Sequence, residues 1–200
     1  MKWYYLDIDT LEAEDYAGIY ALLSGEEQAR VDRFRQDDDR KRTLAGQLLA
    51  RRALGLACGA APQAIPIEKT AEGKPYAPGL AVEFSVSHCG KLAVCAVDDR
   101  PVGIDVEMLR PVNLRIARKV CSPEELCYLF GSASAPPEGD VTEDPAVILR
   151  FFRLWTGKEA IAKREGKGVG SLHTCFPLQE PGIQYETVGA YRICICPSGK

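Results

Sequence analysis

Val82-Glu83-Phe84-Ser85-Val86-Ser87-His88-Cys89-Gly90-Lys91-Leu92-Ala93-Val94-Cys95-Ala96-Val97, followed four residues later by Val102-Gly103-Ile104-Asp105-Val106-Glu107, decides the fold. Apolar and β-branched residues dominate three short runs, Val82 to Ser87, Lys91 to Val97 and Val102 to Val106, and Gly90 offers a hairpin turn between the first two. The pattern predicts an antiparallel meander in the middle of the chain. In an extended third run Asp105 and Glu107 share one face, while Ile104 and Val106 turn to the opposite face and a core.

Upstream, the opening residues alternate as a strand and Leu11 to Leu23 carries apolar residues at helical spacing. Ser24, with Glu27 three positions later, is a capping-box signature for a second helix that includes Arg30 and Arg33. A third helix is predicted from about Asp38 to Ala57, with Asp residues at its positive end and Leu44, Leu48 and Leu49 as the buried stripe. Pro62 to Pro66 breaks that pattern, and Glu72-Gly73-Lys74-Pro75 reads as a turn.

Downstream, short helices are predicted at Leu114 to Val120 and after Ser122, where Glu125 takes the third helical position. The stretch from Gly131 to Pro145, rich in Ser, Pro, Gly and acids, reads as an exposed loop. A long helix from about Ala146 to Arg164 ends at Gly166-Lys167-Gly168-Val169-Gly170, and strands return at Ile183 to Thr187 and Ala190 to Cys196. Helices then strands, twice over, place the chain in the α+β class. Two similar lobes are expected, residues 1–100 and 101–200, meeting near residue 100.

The 200 residues are 46% apolar, enough to bury a core. A formal net charge of −3 argues against a general nucleic-acid binder, which would carry a basic surplus. The start is too acidic and too short in apolar length for a secretory signal, and no apolar run approaches the ~20 residues of a membrane span, so a cytoplasmic protein is expected, without a nucleic-acid or membrane partner. None of the eight cysteines forms a Cys-x-x-Cys pair, which favours reduced, mostly buried thiols over disulfides or zinc.

The helix motif Trp155-Thr156-Gly157-Lys158-Glu159-Ala160-Ile161-Ala162-Lys163 places Glu159 and Lys163 four apart on one face, in line with Phe152 and Trp155. Asp105, Glu107, Glu159 and Lys163 thus come from two rigid elements, a donor set suited to Mg²⁺ carrying phosphates as its remaining ligands. The competing reading is a solvated strand end and an ordinary Glu159–Lys163 helix pair, worth only ~0.2–0.5 kcal/mol.

Six fragments in order carry a more specific reading: Arg42-Thr43-Leu44-Ala45-Gly46, Gly73-Lys74-Pro75, Phe84-Ser85-Val86-Ser87-His88, Gly103 to Glu107, Ser122-Pro123-Glu124-Glu125, and Trp155 to Lys163. Nearly end to end, the chain resembles the 4′-phosphopantetheinyl transferases of the larger, surfactin-synthetase-activating (Sfp-type) group. The resemblance implies a pseudo-twofold, holo-ACP-synthase-like pair of lobes with the active site between them. It also implies transfer of the phosphopantetheine arm of coenzyme A to a serine of an acyl or peptidyl carrier protein, with Mg²⁺ and with release of adenosine 3′,5′-bisphosphate.

By the same resemblance Asp105, Glu107 and Glu159 are the metal ligands, and Lys163 meets the phosphates and steadies the leaving nucleotide. Ser87, His88, Arg42 and Arg30 belong to the 3′-phosphate end of coenzyme A, and Gly73, Lys74 and Pro75 lie along its adenine. Glu27 departs from the pattern, standing where relatives can carry a second basic residue, so either a weaker 3′-phosphate clamp or substitution by Arg33 is expected. Glu125, or a metal-bound water, is the candidate base for the carrier serine, and Glu125 also reads as a capping-box residue. The basic stretch with Arg110, Arg115, Arg118 and Lys119 is the candidate docking surface for an acidic carrier helix. A monomer is expected, since the short trimeric synthases have chains about half this length. The rival from another class is a non-catalytic coenzyme A or nucleotide-binding module of the same fold.

Overall fold

The computed structural model describes residues 1–131 and 139–199. In chain order the elements are β1 (Lys2–Asp7), α1 (Ala13–Ala21), α2 (Gly25–Asp32), α3 (Asp37–Cys58), β2 (Glu68–Lys69), β3 (Pro75–Tyr76), β4 (Glu83–Cys89), β5 (Leu92–Asp98) and β6 (Val102–Met108). There follow β7 (Val112–Asn113), α4 (Leu114–Val120), α5 (Pro123–Phe130), β8 (Val141–Thr142), α6 (Pro145–Arg164), β9 (Gln184–Val188) and β10 (Tyr191–Pro197). The protein is thus mixed helix and sheet.

The strands form two three-stranded antiparallel sheets, β1-β5-β4 and β6-β10-β9, with two-stranded ladders β2-β3 and β7-β8. The expected meander is therefore corrected. Strands β4 and β5 form a hairpin, turning at Gly90 with φ of +55°, but β6 leaves them to pair with β10. Alternation explains why. On β5, Ala93, Cys95 and Val97 join the core under α3, while Leu92, Val94 and Ala96 face Val102, Ile104 and Val106 of β6 and Ile193 and Ile195 of β10. Both faces of β5 are apolar, so one accepts a helix and the other accepts a second sheet.

On β10, Cys194 and Cys196 point the other way, into a cluster with Ala160, Ile161 and Ala162 of α6. The order through the molecule is α3, first sheet, second sheet, α6. Helix α6 lies directly on β6 because Gly103 has no side chain: a Cβ there would stand 1.8 Å from the Ala160 carbonyl oxygen. That close approach brings the face carrying Asp105 and Glu107 against the helix carrying Glu159 and Lys163.

Capping sets several boundaries as the sequence predicts. Ser24 and Ser122 each form a capping box, with Glu27 and Glu125. Asp144 caps α6 by accepting from the N–H groups of Ala146 and Val147. The predicted loop over 131–145 is corrected in part, since Val141–Thr142 pairs with Val112–Asn113, and its residues 132–138 lie outside the described ones. All eight cysteines are free, but only Cys95, Cys175, Cys194 and Cys196 are buried, so the expectation of mostly buried thiols is met by half of them. Among the described residues no helix is long and apolar enough to cross a membrane.

Candidate active site

Strands β4 and β6 run side by side without a backbone ladder, and side chains join them. The Ile104 N–H donates to Ser85 Oγ (3.1 Å), the Ser87 hydroxyl to Asp105 Oδ1 (2.8 Å) and the Cys89 thiol to Glu107 Oε2 (3.4 Å). Successive partners advance in the same direction on both strands, so the seam is parallel. Ser85 thus satisfies one backbone N–H of an edge that the two sheets leave open, while Ser87 and Cys89 bond the carboxylates beyond it.

Lys163 reaches this seam from α6, its Nζ 2.7 Å from Asp105 Oδ1 and 2.8 Å from Ser87 Oγ. Asp105 is buried, and its second oxygen, Oδ2, has no protein partner. Burial pushes the Asp105 carboxyl above the ordinary carboxylate range, against the pull of Lys163 and Ser87. Glu107 is held by Arg110, whose Nη1 lies 2.8 Å from Oε2. The Glu159 carboxyl is raised to about 7, first by desolvation and then by the charge of Asp105, with Lys163 opposing.

The three expected ligands are near enough to feel one another's charge, but among the described residues no group of three or more His, Cys, Asp or Glu side chains is drawn into a metal-holding cluster. Lys163 and Arg110 neutralise two of the carboxylates instead. The residues nevertheless fit a hard cation: a buried carboxylate oxygen without a partner, and a neighbouring carboxyl, that of Glu159, raised by the charge of Asp105, are the donors such an ion takes.

Two cavities adjoin this centre and share Gly73, Pro75, Phe84, Val86 and Lys163. One, of about 290 Å³, is lined by Arg30, Lys69, Ser87, His88 and Lys163 and by no carboxylate. The other, of about 270 Å³, runs past Lys74 and Glu159 to the loop Gly166-Lys167-Gly168. Lys74 donates to the Arg164 carbonyl (3.2 Å) and pairs with Glu83 at 3.5 Å. Burial and the charge of Lys163 hold the His88 imidazole below its ordinary pKa.

Of the residues expected at the nucleotide end, Arg30, Gly73, Pro75, Ser87 and His88 line the first cavity and Lys74 the second. Arg42 lines neither: it pairs with Asp39 and donates to the Gly90 carbonyl (3.1 Å), bracing the β4–β5 hairpin beside His88. Thr43, Gln47 and Lys69 line the first cavity without having been singled out. Thr43 and Gln47, with Gly46 and Ala50, are spaced as one face of α3, a signal the sequence carried; Lys69 carried none beyond standing two residues from Ile67 on an extended segment.

Glu125 requires a correction as the candidate base. It is 2% exposed; its Oε2 accepts from the Ser122 N–H (2.8 Å) and pairs with Lys158 Nζ (2.8 Å). Lys158 is wholly buried and also donates to the Leu172 and Cys175 carbonyls (3.3 and 2.6 Å), so the pair ties α5 and α6 to the turn at 169–174. An external serine does not reach a carboxylate enclosed in this way. The basic stretch is divided too. Arg110 is committed to Glu107 and lies over the Phe152 ring, Arg115 is paired with Asp140, and Arg115, Ile116, Arg118 and Lys119 are exposed on α4.

A cationic cavity joined through Lys163 to one that passes Glu159, with Asp105 buried behind the junction, has the charge pattern that suits an anionic substrate. Comparison with known proteins gives the family. Residues 11–100 match the N-terminal model of 4′-phosphopantetheinyl transferases, and residues 101–197 match the 4′-phosphopantetheinyl transferase superfamily. A 4′-phosphopantetheinyl transferase of Bacillus subtilis is 35% identical over 171 residues, covering 84% of this chain and 72% of the relative. The transferase Sfp of Bacillus subtilis strain 168 is 32% identical with the same coverage. HetI of Nostoc is 34% identical over 174 residues, 84% of this chain and 68% of the relative. The chain belongs to the 4′-phosphopantetheinyl transferase superfamily, in its Sfp-type group, and is an enzyme of that type.

Proposed function

We propose that the protein transfers the 4′-phosphopantetheine arm of coenzyme A to a serine of an apo acyl or peptidyl carrier protein, releasing adenosine 3′,5′-bisphosphate. One observation carries this reading: Lys163 stands where the two cavities meet, bonded to Ser87 and Asp105, so a pyrophosphate lying across that junction spans the cationic cavity and the carboxylates. The adenosine and its 3′-phosphate lie toward Arg30, Ser87 and His88, with Gly73, Lys74 and Pro75 along the base, and the pantetheine leaves along the second cavity. Asp105, Glu107 and Glu159 hold Mg²⁺, which when bound neutralises charge on the pyrophosphate.

The carrier serine Oγ attacks the β-phosphorus, and the bond from that phosphorus to the bridging oxygen breaks. The bridging oxygen leaves with the 5′-phosphate of adenosine 3′,5′-bisphosphate. Glu159, one turn before Lys163 on α6, takes the serine proton, while the Lys163 ammonium compensates charge on the departing phosphate. Glu125 acts through Lys158, holding α5 and the 169–174 turn against α6.

The carrier docks on α4 through Arg115, Arg118 and Lys119 around the exposed Ile116, with Arg110 nearer the centre. Each helix-backed sheet forms one lobe of a pseudo-twofold pair, residues 1–100 and 101–200, and the protein is a monomer. In support, β1, β4, β5 and α3 all precede residue 100, and β6, β9, β10 and α6 all follow it. Incubation with coenzyme A, Mg²⁺ and an apo carrier, read by intact mass, tests the function. A gain of one phosphopantetheine is expected, and no gain across several acyl and peptidyl carriers would overturn it in favour of a non-catalytic module.

A further inference from the structure

We infer that Lys69, together with Arg30, clamps the terminal 3′-phosphate of coenzyme A, and that Lys69 replaces the second cation displaced by Glu27. This inference rests on the proposed use of coenzyme A. The first cavity gathers Arg30, Lys69, His88 and Lys163 with no carboxylate on its wall, and three cations and an imidazole around about 290 Å³ call for a ligand with several negative charges. Lys163 belongs to the junction with the carboxylates, through its bonds to Asp105 and Ser87. Arg30 and Lys69 are at the opposite edge, since both also line the neighbouring outer cavity, with Arg33 and with Glu26, Glu27 and Glu68.

Neither Arg30 nor Lys69 forms an ion pair among the described residues, and both are exposed. They are close enough for the Arg30 charge to lower the Lys69 pKa, after desolvation. The acids on the outer cavity, Glu26, Glu27 and Glu68, do not line the first one; Glu27 Oε2 accepts from the N–H and hydroxyl of Ser24 at the start of α2, and Glu68 Oε2 accepts from the Tyr76 hydroxyl. The repulsion between Arg30 and Lys69 outweighs the pull of Glu27 or of Glu26 on Lys69, and a bound phosphate relieves it. Position 27 is taken by helix capping, and β2 supplies the cation from the other wall.

Dephospho-coenzyme A, which lacks only the 3′-phosphate, tests this. The KM of each cosubstrate is measured with an apo carrier, and the Kd of each by calorimetry without carrier or Mg²⁺, for the wild type, Lys69→Ala and Lys69→Arg. In the wild type coenzyme A binds more tightly than dephospho-coenzyme A. In Lys69→Ala that preference falls roughly tenfold, as expected for loss of one charge-assisted contact, and Lys69→Arg retains it. An unchanged preference in Lys69→Ala, or equal weakening of both ligands, overturns the assignment. Absence of transfer by the wild type overturns the proposed function alone, because the calorimetric preference still decides the role of Lys69; equal wild-type affinity for the two ligands overturns the clamp.

Discussion

Lys163 Nζ lies 2.7 Å from Asp105 Oδ1, while Oδ2 of the same buried carboxylate has no protein partner. One oxygen is thus saturated by an ammonium and a hydroxyl, and the other is left for a cation. Asp105→Asn removes the buried charge and keeps the shape. Because Lys163 is 29% exposed and retains Ser87, stability is expected to change by no more than about 1 kcal/mol. Transfer is expected to fall by roughly 100-fold or more, the upper range for lost metal-site contacts, and Mg²⁺ is expected to lose its effect on Tm. Thermal melts with and without Mg²⁺, alongside intact-mass assays, check both. A variant that transfers at the wild-type rate would remove Asp105 from the site.

Glu159 gives the pH dependence. Its carboxyl, raised from 4.5 to about 7, holds a proton in the folded, metal-free protein over a range where the unfolded chain has released it. The stability it contributes is fully present below pH 4.5 and is lost as pH rises through 7. Metal binding has the opposite slope, since Mg²⁺ takes the ionised form. The Mg²⁺-induced rise in Tm is therefore expected to grow from pH 6 to pH 8, and Glu159→Gln to flatten that growth. A rise independent of pH in the wild type would refute the assignment.

Much of this site was legible in the sequence because it depends on short-range periodicity. Asp105 and Glu107 share a strand face, Glu159 and Lys163 share a helix face, and Ser24 and Ser122 announce their helices through residues three positions on. What pairs with what was not legible. The strand β6 follows a hairpin in sequence, yet its partner β10 lies some ninety residues later, and only the two apolar faces of β5 hint that a second sheet covers it. The same limit hid the place of Lys69 on the cavity wall and the burial of Glu125 against Lys158. A cavity wall is assembled from distant segments, and a capping box looks identical whether its glutamate faces water or a buried lysine.

The Lys158–Glu125 pair is enclosed, at 0% and 2% side-chain exposure. Removing one partner strands the other charge in the core, so Lys158→Met or Glu125→Leu alone is expected to cost about 3–5 kcal/mol. The double variant replaces both charges with apolar groups of similar volume and is expected to recover most of that loss. Urea denaturation of the four proteins gives the coupling directly. Additive losses in the double variant would refute the pairing.

His88 reports the nucleotide end independently of transfer. With burial and the Lys163 ammonium holding its pKa below 6.5, the free protein carries a neutral imidazole at pH 7. A phosphate dianion beside the ring favours the imidazolium, so the His88 pKa is expected to rise when coenzyme A binds. By linkage, affinity then strengthens as pH falls from the pKa of the complex toward that of the free protein, until the phosphate itself gains a proton near pH ~6. Proton NMR titration of the His88 ring, assigned with His88→Gln, should show a depressed midpoint in the free protein and a higher one with coenzyme A. Dephospho-coenzyme A should produce a smaller shift. A midpoint unmoved by coenzyme A would place the 3′-phosphate away from His88.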